Sequence, residues 1–68
     1  MNIRTVLHQE HQEDFRKGIE SKEQEIKSMG FNAAREKFNM ENPIGVKPSS
    51  LGAYYFASGE LAALVQSL

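Results

Sequence analysis

The stretch of this sequence whose residue types could do chemistry is His8-Gln9-Glu10-His11-Gln12-Glu13-Asp14. His8 and His11 stand one helical turn apart, with Asp14 a further turn on. A helix here would bring two imidazoles and a carboxylate to one face. The spacing differs from that of the helical metalloproteases, in which two histidines four apart flank a glutamate. A metal would also need another strong ligand. The chain has no cysteine and only these two histidines, so nothing nominates one. The simpler reading is that both histidines are part-buried seam residues, with no metal and no cofactor bound. Two histidines at such a seam would couple association to pH between about 5 and 7.

The remaining reactive groups read more plainly still. Glu20, Glu23 and Glu25 alternate with Lys22 and Lys27, the pattern of a solvated helix face, not of paired acid–base carboxylates in a cleft. Ser49, Ser50 and Ser58 have no base at a recognisable spacing. The five glycines form no phosphate-binding loop. Tyr54, Tyr55 and Phe56 could stack on bases, but the formal net charge of −1 supplies no basic surround, so they read as core. No catalytic residue is nominated, and an enzyme is not expected.

These residues must be positioned by helices. Residues 2–29 read as one long polar helix, with Asn2 as N-cap and an interior rich in Glu, Gln, Lys and Arg. Glu13–Lys17 and Glu23–Lys27 are favourable i,i+4 pairs. Gly30 is the expected stop, in a Schellman ending that would bring Phe31 onto Ile26. A short helix over about 33–40 follows, capped by Asn32 and ended before Pro43. The segment from Asn42 to Ser49 reads as a loop, with Ile44 and Val46 as candidates to pin it to the core. An apolar helix over about 50–67 begins at Ser49 or Ser50. The fold class is therefore all-α: three helices in one domain, 1–68.

On a helical wheel, Phe15, Ile19, Ile26 and Met29 share one face of the long helix with His8, His11, Gly18 and Lys22. Ile3, Val6 and Leu7 are rotated away from it. A helix of 28 residues would span about 42 Å and overhang so small a domain. Either a second copy covers Ile3, Val6 and Leu7, or the helix breaks near Gly18. In the last helix, Leu51, Tyr54, Tyr55, Ala57, Leu61, Ala62, Leu64, Val65 and Leu68 fill a broad arc that should face the chain's own core. Phe56, Gly59 and Ala63 lie outside that arc and could admit a partner helix closely. That helix is long enough to span a membrane, but Glu60, Gln66 and its serines argue against it.

A chain of 68 residues buries too little surface to be robust alone, and without cysteine or a metal its remaining staple is self-association. A homodimer is expected, with Ile3, Val6, Leu7, His11, Phe15, Phe56, Gly59 and Ala63 as candidate contacts. The absence of cysteine and of an apolar leader suits the cytoplasm. The size, the composition and stretches such as Gly52-Ala53-Tyr54-Tyr55-Phe56-Ala57-Ser58-Gly59-Glu60-Leu61 resemble the small helical accessory proteins of the early regions of lambdoid phages and prophages. That resemblance implies modulation of a host through protein–protein contact. The expected function is thus a small interaction or regulatory protein with an unidentified protein partner. The alternative is a nucleic-acid-associated regulator presenting Arg4, Arg16 and Lys17. A metal-binding protein using His8 and His11 is more distant.

Overall fold

A computed structural model describes residues 11–68. Helix α1 runs over Gln12–Met29, α2 over Phe31–Glu41 and α3 over Leu51–Gln66, with no strand among the described residues. The architecture is the all-α, three-helix fold that the periodicities imply. The expected cap Asn2 and the turn of Ile3, Val6 and Leu7 lie outside the described residues, as does His8. Within them, α1 starts at Gln12 and not farther back, because His11 leaves helical geometry (φ −111°, ψ 13°). Its carbonyl accepts the first helical bond, from Phe15 N–H at 3.1 Å. From there α1 is unbroken through Gly18, so the break considered at that residue does not occur.

Gly30 ends α1 as expected, but not in a Schellman turn. Its φ of 88° and ψ of 159° lie in a region that essentially only glycine enters. The residue closes α1 through its N–H to Ile26 O at 2.9 Å. It opens α2 through its carbonyl, which accepts from Ala34 N–H at 3.0 Å. One glycine therefore serves as the whole connection, and Asn32, expected as the cap of the second helix, is instead inside its first turn. Asn42, before Pro43, closes α2 with both its backbone and side-chain amides on Phe38 O. The loop then turns at Pro43–Val46, with Val46 N–H on Pro43 O at 3.2 Å and Gly45 at φ 88°. Ile44 sits at the corner of that turn, fully exposed, and Val46 is exposed too. The expectation that they pin the loop to the core is not met. Ser50 caps α3, accepting from Ala53 N–H at 3.1 Å.

The main interface is between α1 and α3, with α2 folded against α1 and touching α3 less. Its centre is a pair of glycines. A Cβ on Gly18 would collide with Phe56 O, and a Cβ on Gly59 would collide with Phe15 O. The two helices thus cross backbone to backbone, each glycine turning an α-hydrogen toward a carbonyl of the other helix. This decides which side of α3 is inside. Gly59, Glu60, Ala63 and Leu64 are its buried residues, whereas Leu51, Tyr54, Leu61, Val65 and Leu68 are each half or more exposed. The broad aliphatic arc was expected to face the core and the small-residue side to face a partner. The structure puts the small-residue side against α1, because only that side lets α1 come close enough; of the arc, Leu64 is buried as expected, while Leu51, Tyr54, Leu61, Val65 and Leu68 are turned outward. The partner helix admitted at Gly59 and Ala63 is the chain's own α1.

Gly59→Ala should lower unfolding free energy by about 1–3 kcal/mol although alanine favours helix, because overpacking at the crossing outweighs propensity. Gly52→Ala is the control: its new Cβ would meet only ordinary contacts from 3.4 Å outward, and stability should change by less than about 0.5 kcal/mol. Urea titrations followed by circular dichroism check both, and equal losses at the two positions would contradict the crossing.

Candidate functional site

One turn beyond Gly18, α1 places Lys22 in the centre of the three helices, with no exposed surface. A buried ammonium must be paired. Lys22 Nζ lies 2.6 Å from Glu25 Oε1, 3.3 Å from Glu60 Oε2 of α3 and 3.4 Å from the Ala34 carbonyl of α2, and 5.7 Å above the Phe38 ring. The Glu25 Oε1 contact is an ion pair off hydrogen-bond alignment. Its Oε2 accepts from Lys37 Nζ of α2 at 2.5 Å. The cluster therefore ties α1 to both α2 and α3. Glu25, read from the sequence as part of a solvated face, is drawn into it by the two lysines.

The two carboxylates feel opposite environments. At Glu60, only 6% exposed, burial dominates and pushes the carboxyl above its ordinary range, with Lys22 offsetting this in part and Glu41 and Glu25 adding to it. Burial also works to raise Glu25, but Lys22 and Lys37 together outweigh it and hold Glu25 below its ordinary range. A buried lysine between carboxylates is a chemistry-capable arrangement in principle. Here its atoms are committed to holding helices together.

The histidine motif resolves differently. His11 stacks flat on Tyr55 of α3, with ring centroids 4.9 Å apart and planes at 5°. Its Nδ1 is 3.3 Å from Asp14 Oδ2. The imidazole thus fastens the start of α1 to α3, and among the described residues no cluster suited to a metal ion is formed. Arg16, the basic residue proposed for nucleic-acid contact, is held by Glu13 and by Glu20, the latter at 2.5 Å. Glu13 bonds Arg16 directly, with Lys17 of the pair read from the sequence adding a weaker attraction. Among the expected contact residues, Gly59 and Ala63 are buried, and Phe15 and Phe56 are half-buried with their carbonyls at the crossing. Phe56 also lines a shallow depression along Lys17, Ser21 and Gln24 of α1.

What the sequence reading did not single out is the outer face of α3. Leu51, Tyr54, Ser58, Leu61, Val65 and Leu68 are spaced 3, 4, 3, 4 and 3, the a/d pattern of a helix–helix seam. At 100° per residue the stripe is centred roughly 160° from the buried face. Beside its C-terminal half, Phe31 and Phe38 of α2 wall a groove of about 300 Å³ whose other wall is Leu61, Val65 and Leu68. The spacing was readable in the sequence, but it was merged there into one wide apolar arc. No helix among the described residues is long and apolar enough to cross a membrane. Comparison with protein-family models, with curated proteins and with solved structures returned no match to this chain.

Two outcomes test the buried cluster. Lys22→Met, which strands Glu60, should cost about 3–5 kcal/mol, enough to unfold much of a marginal domain. For pH, Glu60 starts from 4.5 in the unfolded chain and is raised on folding, so its contribution is full below about 4.5 and is lost as pH rises through the folded value. Glu25 is lowered on folding, so its contribution is present above about 4.5 and is lost as pH falls through its folded value. Glu60→Gln should therefore remove a decline in stability as pH rises above about 4.5 while leaving the acid limb in place. Urea unfolding across pH is the measurement, and a variant with an unchanged neutral-side slope would contradict it.

Proposed function

We propose that this chain works by binding other protein chains, its own copies among them, with the outer stripe of α3 as the contact surface. The observation that carries this reading is a regular apolar seam left uncovered on the side of α3 opposite its buried face. A contiguous exposed patch of large apolar side chains marks a binding surface more often than a bare one. The stripe has the spacing with which an amphipathic helix meets another helix, and the groove beside it is walled by aromatic rings. The polar groups support the same view. Lys22, Glu25 and Glu60 are engaged in holding the helices, and His11 in fastening α1. The host-modulating, cytoplasmic role implied by the resemblance to phage accessory proteins would be exercised through such a surface. No particular observation favours the nucleic-acid reading, since Arg16 is neutralised by two glutamates.

The test is site-specific photo-cross-linking in the native cell. A benzophenone amino acid at Leu61 or Val65 should give covalent adducts with protein chains, at several times the yield from Glu23, an exposed position on α1. Equal yields from the two faces, or none from Leu61 and Val65, would reject the stripe as the contact surface.

A further inference from the structure

The stripe has a property that a generic binding face lacks: its spacing reads the same in both directions. In a helix laid antiparallel to its own copy, Leu51 meets Leu68, Tyr54 meets Val65 and Ser58 meets Leu61, each pair twice about one two-fold axis. We infer that the occupant of the stripe is a second copy of this chain, with α3 packed antiparallel on α3. This inference rests on the reading of the stripe as the contact surface, and it names the partner.

Four observations favour that occupant. The first is complementarity of shape. The groove between α2 and α3 lies at the C-terminal half of the stripe, and the uncovered Leu51 and Tyr54 lie at its N-terminal half. Antiparallel pairing brings those side chains of each copy to the groove of the other, whereas parallel pairing would put groove against groove. At the centre, Ser58 is small enough to admit Leu61. Its hydroxyl already donates to Tyr54 O of its own helix at 2.9 Å, so Ser58 brings no unpaired donor to the seam.

The second is charge. The one charged residue in α3 is Glu60, buried on the far side, so the stripe itself carries no charge to repel a copy; the groove beside it adds Arg35 and Asn39 of α2 at its rim. The third is the helix dipole. α3 has no basic residue in its last turn, whereas the carboxylate of Asp14 from α1 stands beside Gly52 in its first turn. An antiparallel neighbour supplies the opposite dipole end to the uncompensated C-terminus. The fourth is area. Among the described residues the buried apolar side chains are Ala34, Ala63 and Leu64, against nine large apolar side chains left exposed. So small a core needs a staple. The stripe offers on the order of several hundred Å² per copy, within reach of the ~800 Å² that each side of a standard interface contributes.

The chain has no cysteine, so the geometry can be read by disulfide trapping with clean background. Tyr54→Cys and Val65→Cys chains are mixed under mild oxidation, and sedimentation velocity is run on the unmodified chain and on Leu61→Glu. Expected are a dimer of the unmodified chain, a mixed 54–65 disulfide in excess of either like-with-like product, and dimer affinity weakened more than about thirtyfold by Leu61→Glu with its helicity intact. A dominant 54–54 product would overturn the antiparallel arrangement. A monomer at high micromolar concentration with no mixed disulfide would overturn self-pairing. If Leu61 still cross-linked to another protein in the cell, the contact-surface reading would stand without it.

Discussion

Two glycines set the geometry of this protein. Gly18 and Gly59 let α1 and α3 meet at backbone distance, and a side chain on either would strike a carbonyl of the other helix. Most helix pairs are held 8–10 Å apart by the side chains between them. Removing those side chains from the contact brings the helices closer and fixes which faces look inward. On α3 the inward face must be the one carrying Gly59 and Ala63, whatever the hydrophobicity of the other faces. The larger aliphatic residues are thereby turned outward. A local steric allowance therefore decides which side of α3 carries exposed apolar surface.

The same approach explains a buried charge in so small a domain. Lys22 is one turn beyond Gly18, and Glu60 is the neighbour of Gly59. When the helices close at the glycines, the next positions along the crossing are desolvated with them. Lys22 is satisfied there by carboxylates from α1 and α3 and by a carbonyl of α2. Buried ion pairs add little net stability over well-packed hydrocarbon, because desolvation consumes most of the Coulombic gain. Their effect is on register: a shift of either helix would leave charge without a partner in a water-free centre. The glycines thus set the distance between the helices, and the ion cluster sets their alignment.

Structure and function meet in what remains uncovered. The interior formed by the crossing contains small residues and charges, and few large apolar side chains. Among the described residues, five of the nine exposed large apolar side chains are collected on one stripe of α3 instead. The stripe's spacing is that of one helix meeting a second. On the proposed reading, stability and binding are one property: the surface that would recognise a partner would also complete the core.

The sequence by itself determined the elements. Glycine at position 30, proline at 43 and serine at 50 mark the helix ends, because each acts through its own backbone geometry or a bond to a residue three away. The inward face of α1 was legible too, since Phe15, Gly18, Ile19, Lys22 and Ile26 follow the helical period and Gly18 and Lys22 on it are buried. Composition likewise gave the expectation that so small, cysteine-free a chain needs a partner. Only the tertiary structure decided which side of α3 is interior, that Glu25 leaves solvent for Lys22 and Lys37, and that His11 stacks on Tyr55. Each of these depends on atoms brought together from distant positions, and hydrophobic periodicity carries no information about how closely two backbones can approach. A wheel ranks faces by their affinity for an apolar interior. Here the choice was made by steric access, and the face with the smallest residues went inside.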